Sequence, residues 1–209
     1  ITAYIMTQLG KLAPQLESLN FHGVSATTES FKVLIEAGFP LLTHLVLPYT
    51  KNDEDGTDVE ADNDWFKVIS SNCPALKHLD ASFEGSSVYC ALTPVGDAGM
   101  NALAKGCIHL EVLKLPSNPV CQGGARIPIP NLHQVASFTN LKELNMHFIP
   151  KDAFLAIANG CPNLSDWTFK LMGCDDDYGH YELPRVWLTP GLQLPSLVRL
   201  KMEVILSGR

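Results

Sequence analysis

The chain has 209 residues, 46% of them hydrophobic, a formal net charge of −7 and a pI near 5.4. That length and composition support a sizeable core and exclude a disordered chain, while the acidic balance disfavours non-specific grip on nucleic acid or on an anionic membrane. No run approaches the roughly 20 apolar residues of a membrane span, no secretory leader is recognisable, and six cysteines without a CxxC pair point to a reducing setting, here expected to be cytoplasmic or nuclear.

From the first residue, "ITAYIMTQLGKL" has helical spacing of Ile1, Ile5, Leu9 and Leu12 and is followed by "LESLNF", where Leu16, Leu19 and Phe21 alternate with polar residues as in a strand with one buried face. The same phrase returns six times. Its first leucines are Leu16, Leu42, Leu76, Leu110, Leu141, Leu164 and Leu197, spaced by 26, 34, 34, 31, 23 and 33 residues. Between these strands lie helical patterns at 30–38, 64–72, 97–106, 131–138 and 152–160. Asp64, Asp97 and Asp152 are the expected N-caps, and Gly38, Gly106 and Gly160 are expected to close helices in a left-handed conformation.

Cys73, Cys107 and Cys161 share one position, three residues before a strand's first leucine, which Phe39 and Ala13 fill in other units. Exchange with Phe and Ala is what a small packed hydrophobe tolerates and a metal ligand does not. Cys90, Cys121 and Cys174 fall in inter-element loops and are expected to be free thiols. The acidic stretch Lys51 to Asp64 has Lys51 where a calcium loop needs its first carboxylate, so it is read as a solvated loop. Asp175, Asp176, Asp177, His180 and Glu182 form a second acidic run without rigid ligand spacing; a metal-dependent hydrolase built on it is the remaining enzymatic alternative. No Gly-x-Ser-x-Gly, phosphate loop or HExxH occurs, so a non-enzymatic protein without catalytic residues, cofactor or metal is expected.

A strand–loop–helix unit of this size cannot bury its apolar face alone, so neighbouring units must stack. The segment "VGDAGMNALAKGCIHLEVLKL", Val95 to Leu115, resembles the cysteine-containing leucine-rich repeats of F-box proteins. The resemblance covers essentially the whole chain. It implies an α/β leucine-rich repeat solenoid of about seven repeats in a single domain, 1–209, with a parallel sheet on the concave face and helices on the convex face. Further repeats or an adaptor domain belonging to a longer protein are expected beyond it. It also implies protein–protein interaction, with substrate reception in ubiquitin ligation as one form. The alternative, a structural subunit docked permanently in a larger assembly, is read from the first and last units, which lack obvious polar caps. An F-box is not visible, so adaptor binding is not carried over.

In a repeat strand of that family the residues between the buried leucines face the concave side and line up in stripes. One stripe holds Ser18, His44, His78, Val112, Glu143, Asp166 and Arg199; the next includes Asp80 and Lys114; a third includes His147 and Lys170; and a fourth includes Tyr49, Phe83 and Phe148. A protein partner is expected to bind His44, Tyr49, His78, Asp80, Phe83, Lys114, His147, Phe148 and Lys170, with no nucleic-acid or membrane role. For the fourth stripe the alternative is a satellite core under folded-over loops. The long strand-to-helix insertions, carrying Tyr89, Tyr178, Tyr181 and Trp187, are expected to form a rim beside that face.

Overall fold

Short runs in which every second residue is apolar become strands here because each has one face to bury. A computed structural model describes residues 8, 12–26, 28–47, 49–50, 61–82, 97–115, 132–147, 151–173 and 195–206. Seven strands form one parallel sheet: β1 (Ser18–Asn20), β3 (His44–Val46), β5 (His78–Asp80), β6 (Val112–Lys114), β7 (Glu143–His147), β8 (Asp166–Gly173) and β9 (Arg199–Leu206), in that spatial order. Two further strands, β2 (Ser25–Ala26) and β4 (Tyr49–Thr50), pair in parallel as a small second sheet that the sequence pattern does not announce. The helices are α1 (Thr28–Glu36), α2 (Ala61–Asn72), α3 (Asp97–Gly106) and α4 (Lys151–Gly160), with a 3-10 helix at Leu132–Ser137.

Register follows the repeated phrase residue by residue. Ser18, His44, His78, Val112, Glu143, Asp166 and Arg199 sit opposite one another across the sheet, so the first stripe is a real row. The buried row beside it runs Leu19, Leu45, Leu79, Leu113, Leu144 and Trp167, each no more than 7% exposed. Helical residues such as Phe31, Ile69, Leu103 and Ile157 share one core with these strand residues, which places the described helices on one face of the sheet; the opposite face, called here the open face, carries no helix among the described residues. Helices meet their sequence neighbours: α1 packs on α2, α2 on α3, α3 on the 3-10 helix, and the 3-10 helix on α4. Each fully buried leucine contributes about 1.5–3 kcal/mol of transfer free energy, so the row is a principal source of stability.

A second ladder precedes the strands. The N–H groups of Thr43 and His44 both donate to the Glu17 carbonyl, at 2.8 and 3.1 Å. Lys77 and His78 donate likewise to Thr43, Glu111 and Val112 to Lys77, Lys142 and Glu143 to Glu111, Ser165 and Asp166 to Lys142, and Val198 and Arg199 to Ser165. Side chains reinforce it: Asn140 Nδ2 donates to the Ile108 carbonyl and Asn163 Nδ2 to that of Thr139, both at 2.9 Å.

Four expectations change. Asp64 is not an N-cap, because α2 starts at Ala61 and takes Asp64 into its first turn, while Asp97 and Asp152 are the first and second residues of their helices. The 131–138 pattern forms a 3-10 helix, at Leu132–Ser137, and not an α-helix. Of the three helix-closing glycines, only Gly38 has the left-handed conformation, at φ 84°. Gly106 and Gly160 are needed for room instead: a Cβ at Gly106 would stand 2.1 Å from the Ser70 carbonyl oxygen, and one at Gly160 would stand 2.3 Å from that of Ala136. Last, Leu200 occupies the core position of its unit yet is 45% exposed, because no strand of the described sheet lies beyond β9.

The cysteine position is a packing position. Cys73, Cys107 and Cys161 are free and buried, and burial pushes each thiol up to about 12. The Cys107 thiol donates to the Cys73 carbonyl at 3.6 Å and that of Cys161 to the Val135 carbonyl at 3.3 Å. Cys90, Cys121 and Cys174 lie outside the described residues, as do most of the two acidic runs and the rim tyrosines.

Candidate interaction face

The period of two that buries the leucines turns the intervening residues onto the open face, where strand pairing fixes their neighbours. His44 and His78 stack with ring centroids 5.5 Å apart and planes 20° from parallel. His44 is held from behind. Thr43 Oγ1 donates to the Glu17 carbonyl at 3.0 Å and lies 2.9 Å from His44 Nδ1. This contact fixes the orientation of the His44 ring through Nδ1 and leaves Nε2 without a part in it.

His78 is half-buried, and its imidazole is held below its ordinary value, first by burial and then by the Lys114 cation, with His44 acting in the same sense and Asp80 and Glu143 against it. Next along the face, Lys114 Nζ lies 3.5 Å from Asp80 Oδ2 and 3.9 Å from Glu143 Oε1, one cation between two carboxylates on neighbouring strands. Asp80 also accepts from the Ser82 backbone N–H at 2.9 Å, which fixes its rotamer. Farther on, Arg199 Nε pairs with Asp166, which accepts from the Ser165 hydroxyl at 2.8 Å; these two hydrogen bonds hold the Asp166 carboxyl below the usual range. Glu111 is likewise lowered, by the hydrogen bond from Lys142 Nζ at 2.7 Å.

Four of the expected contact residues, His44, His78, Asp80 and Lys114, are thus brought together as one connected polar patch. Tyr49 lies in β4 opposite Ser25, in the second sheet, so it does not continue a row of the main sheet. His147 and Lys170 are in register with each other and with Glu203 on the far strands, away from the histidine pair. Phe83 and Phe148 lie outside the described residues.

Glu143, Asp166, Arg199 and Thr43 were not among the expected contacts. The first three share a stripe with His44; Asp166 and Arg199 are opposite in sign and directly opposite each other on neighbouring strands, whereas Glu143 faces the like-charged Asp166 and pairs instead with Lys114 of the next stripe. Among the described residues no three His, Cys, Asp or Glu side chains gather as a metal cage, and no helix is long and apolar enough to cross a membrane. Compared with protein-family models and with curated proteins, the chain matches none.

Proposed function

We propose that the chain is a leucine-rich repeat solenoid that works by binding a protein partner on the open face of its sheet, beside the edge where strands lead into helices. The observation that carries this reading is the in-register polar patch of His44, His78, Asp80 and Lys114, fixed by backbone pairing and standing clear of the helices. A patch built on rigid strands presents its groups without the ordering cost that a loop would incur on binding. Substrate reception in ubiquitin ligation is the specific form suggested by the sequence resemblance.

The test is a pair of substitutions that leave the core alone. Replacing His44 and His78 together with Ala lowers partner capture at least ten-fold, the size of loss expected when central contacts worth more than about 1 kcal/mol each are removed. The melting temperature moves by only a few degrees, since neither ring is in the core. Undiminished capture by the folded double variant would remove the open face from consideration.

A further inference from the structure

Two of the chain's seven histidines meet on neighbouring strands. His44 of β3 lies directly opposite His78 of β5, and pairing continues through Leu45 with Leu79 and Val46 with Asp80, so the two side chains leave the same face one strand spacing apart. Their rings stand alongside each other, with centroids 5.5 Å apart and planes 20° from parallel. His44 is exposed and His78 half-buried, so solvent reaches the pair.

Two metal–nitrogen bonds of about 2.0–2.1 Å at the tetrahedral angle put their nitrogens about 3.4 Å apart. Closing from a centroid separation of 5.5 Å to that distance asks each ring tip to move by about 1 Å, which the broad torsion at the imidazole supplies without disturbing the strands. Metal-binding imidazoles are usually oriented by a hydrogen bond at the nitrogen that does not bind. Thr43 Oγ1, anchored on the Glu17 carbonyl, stands 2.9 Å from Nδ1 of His44 in that role, and Nε2 is the nitrogen left over. The charges nearby do not oppose a cation: Lys114 lies between Asp80 and Glu143, two carboxylates for one ammonium. Asp80 is itself engaged by Lys114 and by the Ser82 N–H, so the histidines are the donors.

We infer that His44 and His78 chelate a divalent transition-metal ion between them, one ring nitrogen from each, Nε2 in the case of His44, with the remaining positions on the metal open to solvent. Imidazole donors suit zinc, nickel and copper, whereas calcium and magnesium require oxygen. The site lies on the same face as the proposed partner contacts but needs no partner, so either reading can fail alone.

The test is a titration of Zn(II) into the full 209-residue chain carrying isotope-labelled histidine, at neutral pH in a buffer that does not bind metal, read by imidazole NMR. His44→Gln and His78→Gln, with folding checked by circular dichroism, identify the two sets of ring resonances. In the wild type both sets are expected to shift together and to saturate at the same zinc concentration. Either substitution lowers zinc affinity at the remaining histidine at least ten-fold. Thr43→Val lowers it about ten-fold, while Thr43→Ser, which keeps the hydroxyl, leaves it near the wild-type value. Mg(II) in place of Zn(II) leaves both sets where they are. Zinc taken up elsewhere on the chain moves other resonances and leaves these readouts intact. His44 and His78 resonances that ignore zinc, or that move independently of each other, overturn the inference. So does a response at one histidine that keeps its full affinity after loss of the other.

Discussion

Glycine at a helix end does two different jobs in this chain, and single substitutions separate them. Gly38 needs its positive φ, which asparagine also adopts, so Gly38→Asn is expected to cost little and Gly38→Ala about 1–2 kcal/mol. Gly106 needs the absence of a Cβ against the Ser70 carbonyl, so Ala and Asn are both expected to cost about 1–3 kcal/mol there, read by urea unfolding. A glycine after a helical pattern announces that the helix stops; it does not say whether conformation or proximity demands it, because the obstructing atom belongs to another helix.

The cysteines were more legible, since their exchange with Phe and Ala in other units already argued for packing. With their thiols pushed up to about 12, Cys73, Cys107 and Cys161 should resist alkylation at neutral pH in the native protein and react on denaturation, as peptide mass spectrometry would show. His78 gives a pH signature of the opposite kind. Its folded value lies below its unfolded one, so the unfolded chain binds more protons in that interval. Stability is therefore complete above about pH 6.5 and declines as pH falls below it. His78→Gln should flatten the stability profile between about pH 7 and 5, leaving the separate, more acidic loss that belongs to Glu111 and Asp166.

At the scale of elements, the starts of the seven main-sheet strands were readable, because alternation of leucine with polar residues is a local signal that their buried environment requires, whereas β2 and β4 were not and β8 and β9 run four residues beyond Phe169 and Met202. Helix identity was less so. "NLHQVASF" has helical spacing, yet the segment forms a 3-10 helix between α3 and α4, a difference that unit length does not explain, since the shorter units of 26 and 23 residues hold α1 and α4. The asparagine rungs were not foreseen, as an Asn before a leucine looks like ordinary turn chemistry until the neighbouring carbonyl is seen beside it. Asn140→Ala and Asn163→Ala should each cost about 1 kcal/mol, the net value of one hydrogen bond, whereas removing the exposed Glu111–Lys142 pair should change stability by less than that.

For the whole molecule, helices and main-sheet strands each contact mainly their sequence neighbours, so stability should vary along the chain with how well each unit is flanked. Leu113→Ala in central β6 is expected to cost about 2–5 kcal/mol. Leu200→Ala in terminal β9, where the side chain is half in water, should cost well under half as much, and amide exchange should be fastest in the outermost strands. The open face could be drawn from the sequence as a set of rows. What the rows could not say is which neighbours bond, because the His44–His78 stack and the Lys114 bridge depend on rotamers and on how deep each residue sits.

The six joints between units are chemically alike, and that makes the chain editable. Excising residues 112–142 would join Glu111 directly to Glu143, so that a leucine strand follows Leu110 as before. Ser165 and Asp166, whose acceptor Lys142 is gone, would find the Glu111 carbonyl in the same place. The shortened protein should fold one rung smaller, a property of a lattice with interchangeable cells.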